Sequence, residues 1–187
     1  CVYFTNSGSE ATEGAMKLAK RLNGKTNFIA FKNAYHGSTQ GSLSLCGNEE
    51  LKSAFRPLLP GVEILDYNDL DQLERINSQT SAVIVEIIQA EAGMILPTID
   101  FLVKLNQRCK EMGCILIVDE IQTAMRRTGP MFAFESSPII PDILLLGKGF
   151  GGGMPLGAFV ASREMMSAFT HNPVLGNLST FGGHPVS

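Results

Sequence analysis

The sequence predicts a three-layer α/β fold, with helices on both faces of a mostly parallel sheet. Short apolar runs alternate with amphipathic stretches along the 187 residues, the pattern of strands joined by crossover helices. Ser81 to Ile88 is an almost continuous apolar run, as expected of a strand buried on both faces of a parallel sheet. Two shorter runs, Ile115 to Val118 and Ile143 to Leu146, lead directly into Asp119 and into Gly147-Lys148. Ligands bind open α/β sheets at the carboxyl ends of the strands, so a carboxylate and a lysine placed there are candidates for chemistry.

Taken in order, Val2 to Phe4 reads as an opening strand and Glu10 to Leu22 as a helix, with Ala11, Ala15, Leu18 and Ala19 on one face. Between them Asn6-Ser7-Gly8-Ser9 is a small-residue loop feeding a helix N-terminus. Such a loop is either an ordinary serine cap or, through its free N–H groups and the helix dipole, an anion site suited to a phosphate. Asn27 to Phe31 is the second strand, running into Asn33-Ala34-Tyr35-His36-Gly37. Ser38 to Gly47 is expected to form a short helix, and Arg56-Pro57 and Pro60-Gly61 mark a surface excursion before a strand at Val62 to Leu65.

Asp69 to Ile76 suits a short helix packing Leu70, Leu73 and Ile76. Within the apolar run that follows, Glu86 is costly unless paired. Asp100 to Met112 carries Phe101, Leu102, Leu105, Cys109 and Met112 on one stripe, with Gly113 as its stop. After Lys148 and a glycine-rich turn come a strand at Leu156 to Val160 and a helix at Arg163 to Phe169.

A hydrophobic content of 44% is enough for a substantial core, and the net charge is only −3. With no basic run or stripe, nothing points to a nucleic acid, and no apolar stretch approaches the length of a membrane span. The four cysteines lack CxxC spacing and read as reduced core residues of a cytoplasmic protein. No metal-ligating cluster is expected.

The chemistry follows from the two charged strand ends. A lysine held in a dry, glycine-lined site has its amine desolvated, and a neutral amine can condense with an aldehyde. A buried aspartate kept ionised needs a cationic partner, and the protonated ring nitrogen of pyridoxal 5'-phosphate is one. NSGSEA, NAYHG, DEIQT, GKG with GGGMPLGA, and STFGGHP occur in the same order and at similar spacing as in class III (ω-amino acid) aminotransferases. The sequence therefore resembles that family of fold type I, pyridoxal-phosphate-dependent enzymes, over essentially its whole length.

The resemblance implies an aspartate aminotransferase-like large domain spanning residues 1–187. The family's N-terminal segment and C-terminal small domain would lie outside it. It implies Lys148 as the lysine that binds the cofactor and shuttles a proton, and Asp119 as partner of the ring nitrogen. Ser7, Gly8 and Ser9 would cradle the phosphate, with Thr180 of a second subunit completing it in a homodimer. Tyr35 would stack on the ring, with His36 beside it toward Asp119 and Ile121 on the opposite face. Gln122 would bond the ring hydroxyl side, Glu86 would stand behind the cofactor, and Glu91 would border the substrate.

The small-molecule partners would be an ω-amino or related donor and a 2-oxo acid such as 2-oxoglutarate. One departure is Ala124-Met125-Arg126, where the family is glycine-rich, making Arg126 a candidate substrate cation. Another is Ser38, where ornithine and acetylornithine enzymes usually carry an arginine that pairs with the donor's carboxylate. A racemase or aminomutase of the same fold stays open. So does a nucleotide-binding module, although GKG is not followed by Ser or Thr and no GxGxxG opens a helix.

Overall fold

The computed structural model describes residues 1–187. Seven strands form one sheet: β1 (Val2–Thr5), β2 (Asn27–Phe31), β3 (Val62–Leu65), β4 (Thr80–Glu86), β5 (Ile115–Asp119), β6 (Ile143–Leu146) and β7 (Gly157–Val160). Their order across the sheet is β1-β7-β6-β5-β4-β2-β3. Only β7 runs against its neighbours, pairing antiparallel with both β1 and β6. The carboxyl ends of β1, β2, β4, β5 and β6 therefore lie on one edge.

Four α-helices accompany the sheet: α1 (Gly8–Asn23), α2 (Gln40–Leu45), α3 (Ile99–Met112) and α4 (Arg163–Met166). The β1–α1–β2 and β4–α3–β5 connections cross the sheet in opposite directions. Because such crossovers are right-handed, α1 and α3 must fall on opposite faces. The core divides accordingly. Ala82 and Ile84 of β4, Ile117 of β5 and Leu145 of β6 pack with Ala11, Ala15 and Leu18 of α1. Their alternates Val83, Val85, Leu116, Val118, Leu144 and Leu146 pack with Phe101, Leu102 and Leu105 of α3. Strand period two thus supplies both layers.

Local chemistry explains where the observed elements differ from expectation. Helix α1 starts at Gly8 because the Ser7 hydroxyl caps it, accepting from Glu10 N at 3.2 Å. Residues 69–76 make only a 3₁₀ turn at Gln72–Arg75, since the Asp69 carboxylate takes the N–H groups of Asp71 and Gln72 at 3.0 and 3.2 Å and competes with an α-helical start. Strand β4 ends at Glu86, and Ile87-Ile88 have left the sheet. Residues 163–169 split into α4 and a 3₁₀ turn at Ser167–Phe169. Cys46, Cys109 and Cys114 are buried and free, whereas Cys1 is exposed rather than part of the core. No helix is long and apolar enough to cross a membrane, and no group of three or more metal-ligating side chains occurs.

Candidate active site

The carboxyl edge of the sheet opens into a cleft of about 190 Å³, lined by Ser7, Gly8, Ser9, Tyr35, His36, Gly37, Glu86, Ala90, Glu91, Asp119, Ile121, Gln122 and Lys148. Each segment arrives there from a strand end. Asp119 closes β5 and Glu86 closes β4, and the two are paired neighbours in the sheet register. Lys148 follows β6, the Ser7 turn follows β1, and the Tyr35 loop follows β2.

Asp119 and His36 form the buried centre. Nδ1 of His36 is 2.8 Å from Oδ2 of Asp119, with side-chain exposures of 0% and 4%. The other carboxylate oxygen accepts from Ile121 N at 3.0 Å. Nε2 of His36 is buried without a hydrogen-bond partner. Beside this pair, burial pushes the carboxyl of Glu86 up to about 7, opposed by nearby His36 and reinforced by the charge of Asp119. One Glu86 oxygen lies 3.4 Å from Tyr35 N.

The wall opposite is built by close approach. A Cβ on Gly8 would fall 2.7 Å from Cδ1 of Ile121, and one on Gly147 would fall 3.2 Å from its Cγ2. Ile121 is thereby wedged between the start of α1 and the Lys148 turn. Gly157, at the start of β7, faces the Ser7 backbone so closely that a Cβ would lie 2.3 Å from the Ser7 carbonyl oxygen. The Ser9 hydroxyl accepts from Ser38 N at 3.2 Å, joining the α1 cap to the loop that carries Tyr35 and His36.

Lys148 differs from expectation in one respect. Instead of a dry pocket it occupies an exposed rim, where its Nζ donates to Oε1 of Gln122 at 2.5 Å. Its backbone is left-handed, at φ 46°, a conformation costly for a side-chain-bearing residue and found disproportionately at functional sites.

Two expected residues lie outside the cleft. Arg126 is exposed. It belongs to a reversal in which Met125 and Arg126 both have positive φ, its N–H bonds Met131 O at 3.4 Å and its carbonyl accepts from Gly129 N at 3.3 Å. The neighbouring Arg127 comes nearer, with Nη2 3.8 Å from where a Cβ on Gly149 would sit. Thr180 lines a separate surface hollow with Asn6, Glu10, Lys17 and Ser179. Gly37 and Ala90 also join the lining, Gly37 as the last residue of NAYHG.

The donor set fits pyridoxal phosphate. There is an amine for its aldehyde, a buried carboxylate for its ring nitrogen, and for its phosphate a serine-capped helix N-terminus at Gly8 and Ser9. This sheet order and this cleft define the class, the aminotransferase-like fold of pyridoxal-phosphate-dependent transferases. The ornithine aminotransferase of Toxoplasma gondii, a structure with pyridoxal phosphate partially occupying its active site, superposes with TM-score 0.91 at 34% identity, over 99% of this chain and 45% of that one.

The family model for class-III aminotransferases matches residues 1–187, and the chain belongs to that family. The acetylornithine aminotransferase of Methanopyrus kandleri is 46% identical over 187 residues, 100% of this chain and 47% of that protein. The LysW-aminoadipate semialdehyde/glutamate semialdehyde transaminase of Sulfurisphaera tokodaii is 41% identical over 189 residues, covering 100% and 47%. The chain thus spans about half the length of the curated relatives it matches.

Proposed function

We propose that residues 1–187 are the cofactor-binding large domain of a pyridoxal-phosphate-dependent aminotransferase, which moves an amino group from an ω-amino donor to a 2-oxo acid such as 2-oxoglutarate. The observation that carries this reading is the convergence of Lys148 with the buried Asp119–His36 pair on one cleft. Pyridoxal phosphate, when bound, supplies an aldehyde that links to amines and a ring that takes up electrons from the substrate carbon.

The chain's own residues do the rest. Lys148 would hold the cofactor through its aldehyde, and its amine at Nζ would take up and return a proton at the substrate carbon. Gln122, within 2.5 Å of Nζ, restricts where that amine points. Asp119 would pair with the ring nitrogen and favour its protonated form, and His36 holds that carboxylate in position away from water. Ser7, Gly8, Ser9 and the α1 N-terminus receive the phosphate. Tyr35 and Ile121, both lining the cleft, would hold the ring between them. Glu86, uncharged over part of the neutral range, limits the negative charge beside Asp119. Glu91 stands at the substrate end of the cleft. Thr180 acts across a homodimer, reaching the phosphate site of the second copy, which is consistent with its place outside its own cleft. A cytoplasmic setting agrees with the free cysteines.

The names of the relatives, ornithine and acetylornithine aminotransferases, support a donor with a terminal amine. Ser38 argues against ornithine and acetylornithine themselves, because a serine cannot form the two-pronged pair an arginine makes with a carboxylate. The test uses the full-length protein loaded with pyridoxal phosphate. Borohydride reduction and peptide mapping should label Lys148, and ornithine, acetylornithine, 4-aminobutyrate and β-alanine should be compared as donors to 2-oxoglutarate. A label on Lys17, Lys32 or Lys104 would refute the cofactor site. Product formation confined to racemisation or amino migration would refute transamination.

A further inference from the structure

Glu120 follows Asp119 directly, yet it does not line the cleft. It is wholly buried, at 0% exposure, and burying a carboxylate is costly unless its oxygens are satisfied. Both are. Oε1 accepts from Phe134 N at 2.8 Å, and Oε2 accepts from the Thr123 hydroxyl. The backbone is fixed as well, with Glu120 N donating to Leu145 O at 3.1 Å and its carbonyl accepting from Ala124 N at 3.0 Å. One side chain therefore joins the end of β5, the first turn after it, and the far end of a long loop.

That loop borders Lys148 twice. Near its start, Gln122 accepts a hydrogen bond from the lysine amine. Further on, the Met125 side chain and the Arg127 guanidinium pack over the next turn, 3.7 and 3.8 Å from where a Cβ on Gly149 would sit. The intervening backbone is left-handed at Met125 and Arg126, conformations that persist in residues with side chains only where surrounding structure enforces them. The Glu120 carboxylate is the buried anchor that fixes both ends of this stretch.

We propose that Glu120 is a positioning residue for Lys148: its carboxylate pins loop 121–134 so that Gln122 stays against the lysine amine. This rests on the reading of Lys148 as the cofactor lysine. The experiment uses the full-length protein with pyridoxal phosphate bound, in wild type, Glu120→Gln, Glu120→Ala and Thr123→Val. Three things are measured: kcat, KM for the 2-oxo acid, and the visible circular dichroism of the bound cofactor at fixed pH.

Glu120→Ala is expected to lower kcat roughly tenfold with little change in KM, and to alter the dichroic band. Glu120→Gln should restore both, because its carbonyl still accepts from Phe134 N and its amide can donate to the Thr123 hydroxyl. Thr123→Val removes one arm of the anchor and should move kcat and the band in the same direction by less; it carries the test if Glu120→Ala does not fold. A folded Glu120→Ala, or failing that Thr123→Val, with wild-type kcat and dichroism overturns the proposal. A Glu120→Gln as impaired as Glu120→Ala does so too. Borohydride labelling away from Lys148 would instead refute the cofactor site itself, whereas labelling at Lys148 with unchanged dichroism would sink only the role of Glu120.

Discussion

His36 and Asp119 meet at 2.8 Å in a space closed to water, the histidine fully buried and the aspartate nearly so. They come from different strand ends, so their contact ties the loop after β2 to the end of β5. An ionised carboxylate accepts from Nδ1–H, which assigns that nitrogen as the donor and leaves Nε2 free of a proton while the ring is neutral. Removing one member of a buried pair strands the other. His36→Ala should therefore destabilise the protein by about 3 kcal/mol and weaken cofactor binding, while Asp119→Asn, which keeps shape and loses charge, should leave binding closer to normal. Urea unfolding with and without cofactor measures both; equal stability of His36→Ala and wild type would show that the contact contributes nothing.

For Lys148→Ala, cofactor absorbance should become removable by dialysis and turnover should vanish, since no other lysine lines the cleft. Asp119→Asn should instead retain the cofactor while its turnover falls by several kcal/mol of barrier, each ~1.4 kcal/mol being tenfold. Half-reaction rates by stopped-flow absorbance separate the two, and a wild-type rate in Asp119→Asn would remove the carboxylate from the chemistry.

Much of this arrangement was legible because parallel strands announce themselves as apolar runs, so the residue after each run falls at the functional edge of the sheet. Asp119 and Lys148 were readable on that ground, whereas the Tyr35-His36 segment was readable only through the family resemblance. Glu120 was not: an acid next to an acid after a strand reads as solvated, and only the fold brings Phe134 N back to it. The place of Arg126 outside the cleft was hidden for a related reason, since a sequence cannot show that two successive residues turn left-handed. The exposure of Lys148 in this chain was not legible either, because strand periodicity says what is buried beneath an edge and nothing about what covers it.

Gly8→Ala tests the close approach that shapes the phosphate side. Its Cβ would fall 2.7 Å from Cδ1 of Ile121, the far end of a side chain that can shift in part, so stability should fall by about 1 kcal/mol, the low end of overpacking costs. Cofactor affinity should drop as Ile121 is pushed into the cleft, and Ile121→Val in the same chain should recover part of it. Spectral titration with pyridoxal phosphate reads both, and strict additivity of the two substitutions would show that they do not touch.

Gly157→Ala should behave differently, because the obstacle is the Ser7 backbone oxygen, 2.3 Å from the added carbon. Backbone cannot rotate aside, so either β7 or the α1 cap must move. A loss of roughly 1–3 kcal/mol is expected, together with weaker phosphate binding. A thermal midpoint equal to wild type would mean that the turn adjusts freely.

The last expectation concerns pH and Glu86. Burial raises its carboxyl from 4.5 to about 7 in the folded protein, where it faces His36 and Asp119 in the cleft wall and the hydroxyl of Tyr67 bonds its carbonyl oxygen. Below about 4.5 the group is protonated folded or unfolded and stability is unaffected. Between 4.5 and about 7 the folded protein keeps a proton that the unfolded chain releases, so stability falls as pH rises through this window. The loss is on the order of 3 kcal/mol, at ~1.4 kcal/mol per pH unit, and is complete above the folded value. Glu86→Gln, neutral at every pH, should therefore flatten the profile in this window and be the more stable protein at pH 8. Chemical denaturation of cofactor-free full-length protein from pH 5 to 8 measures this. Parallel profiles for wild type and Glu86→Gln would show that Glu86 ionises without penalty and so does not limit the charge beside Asp119.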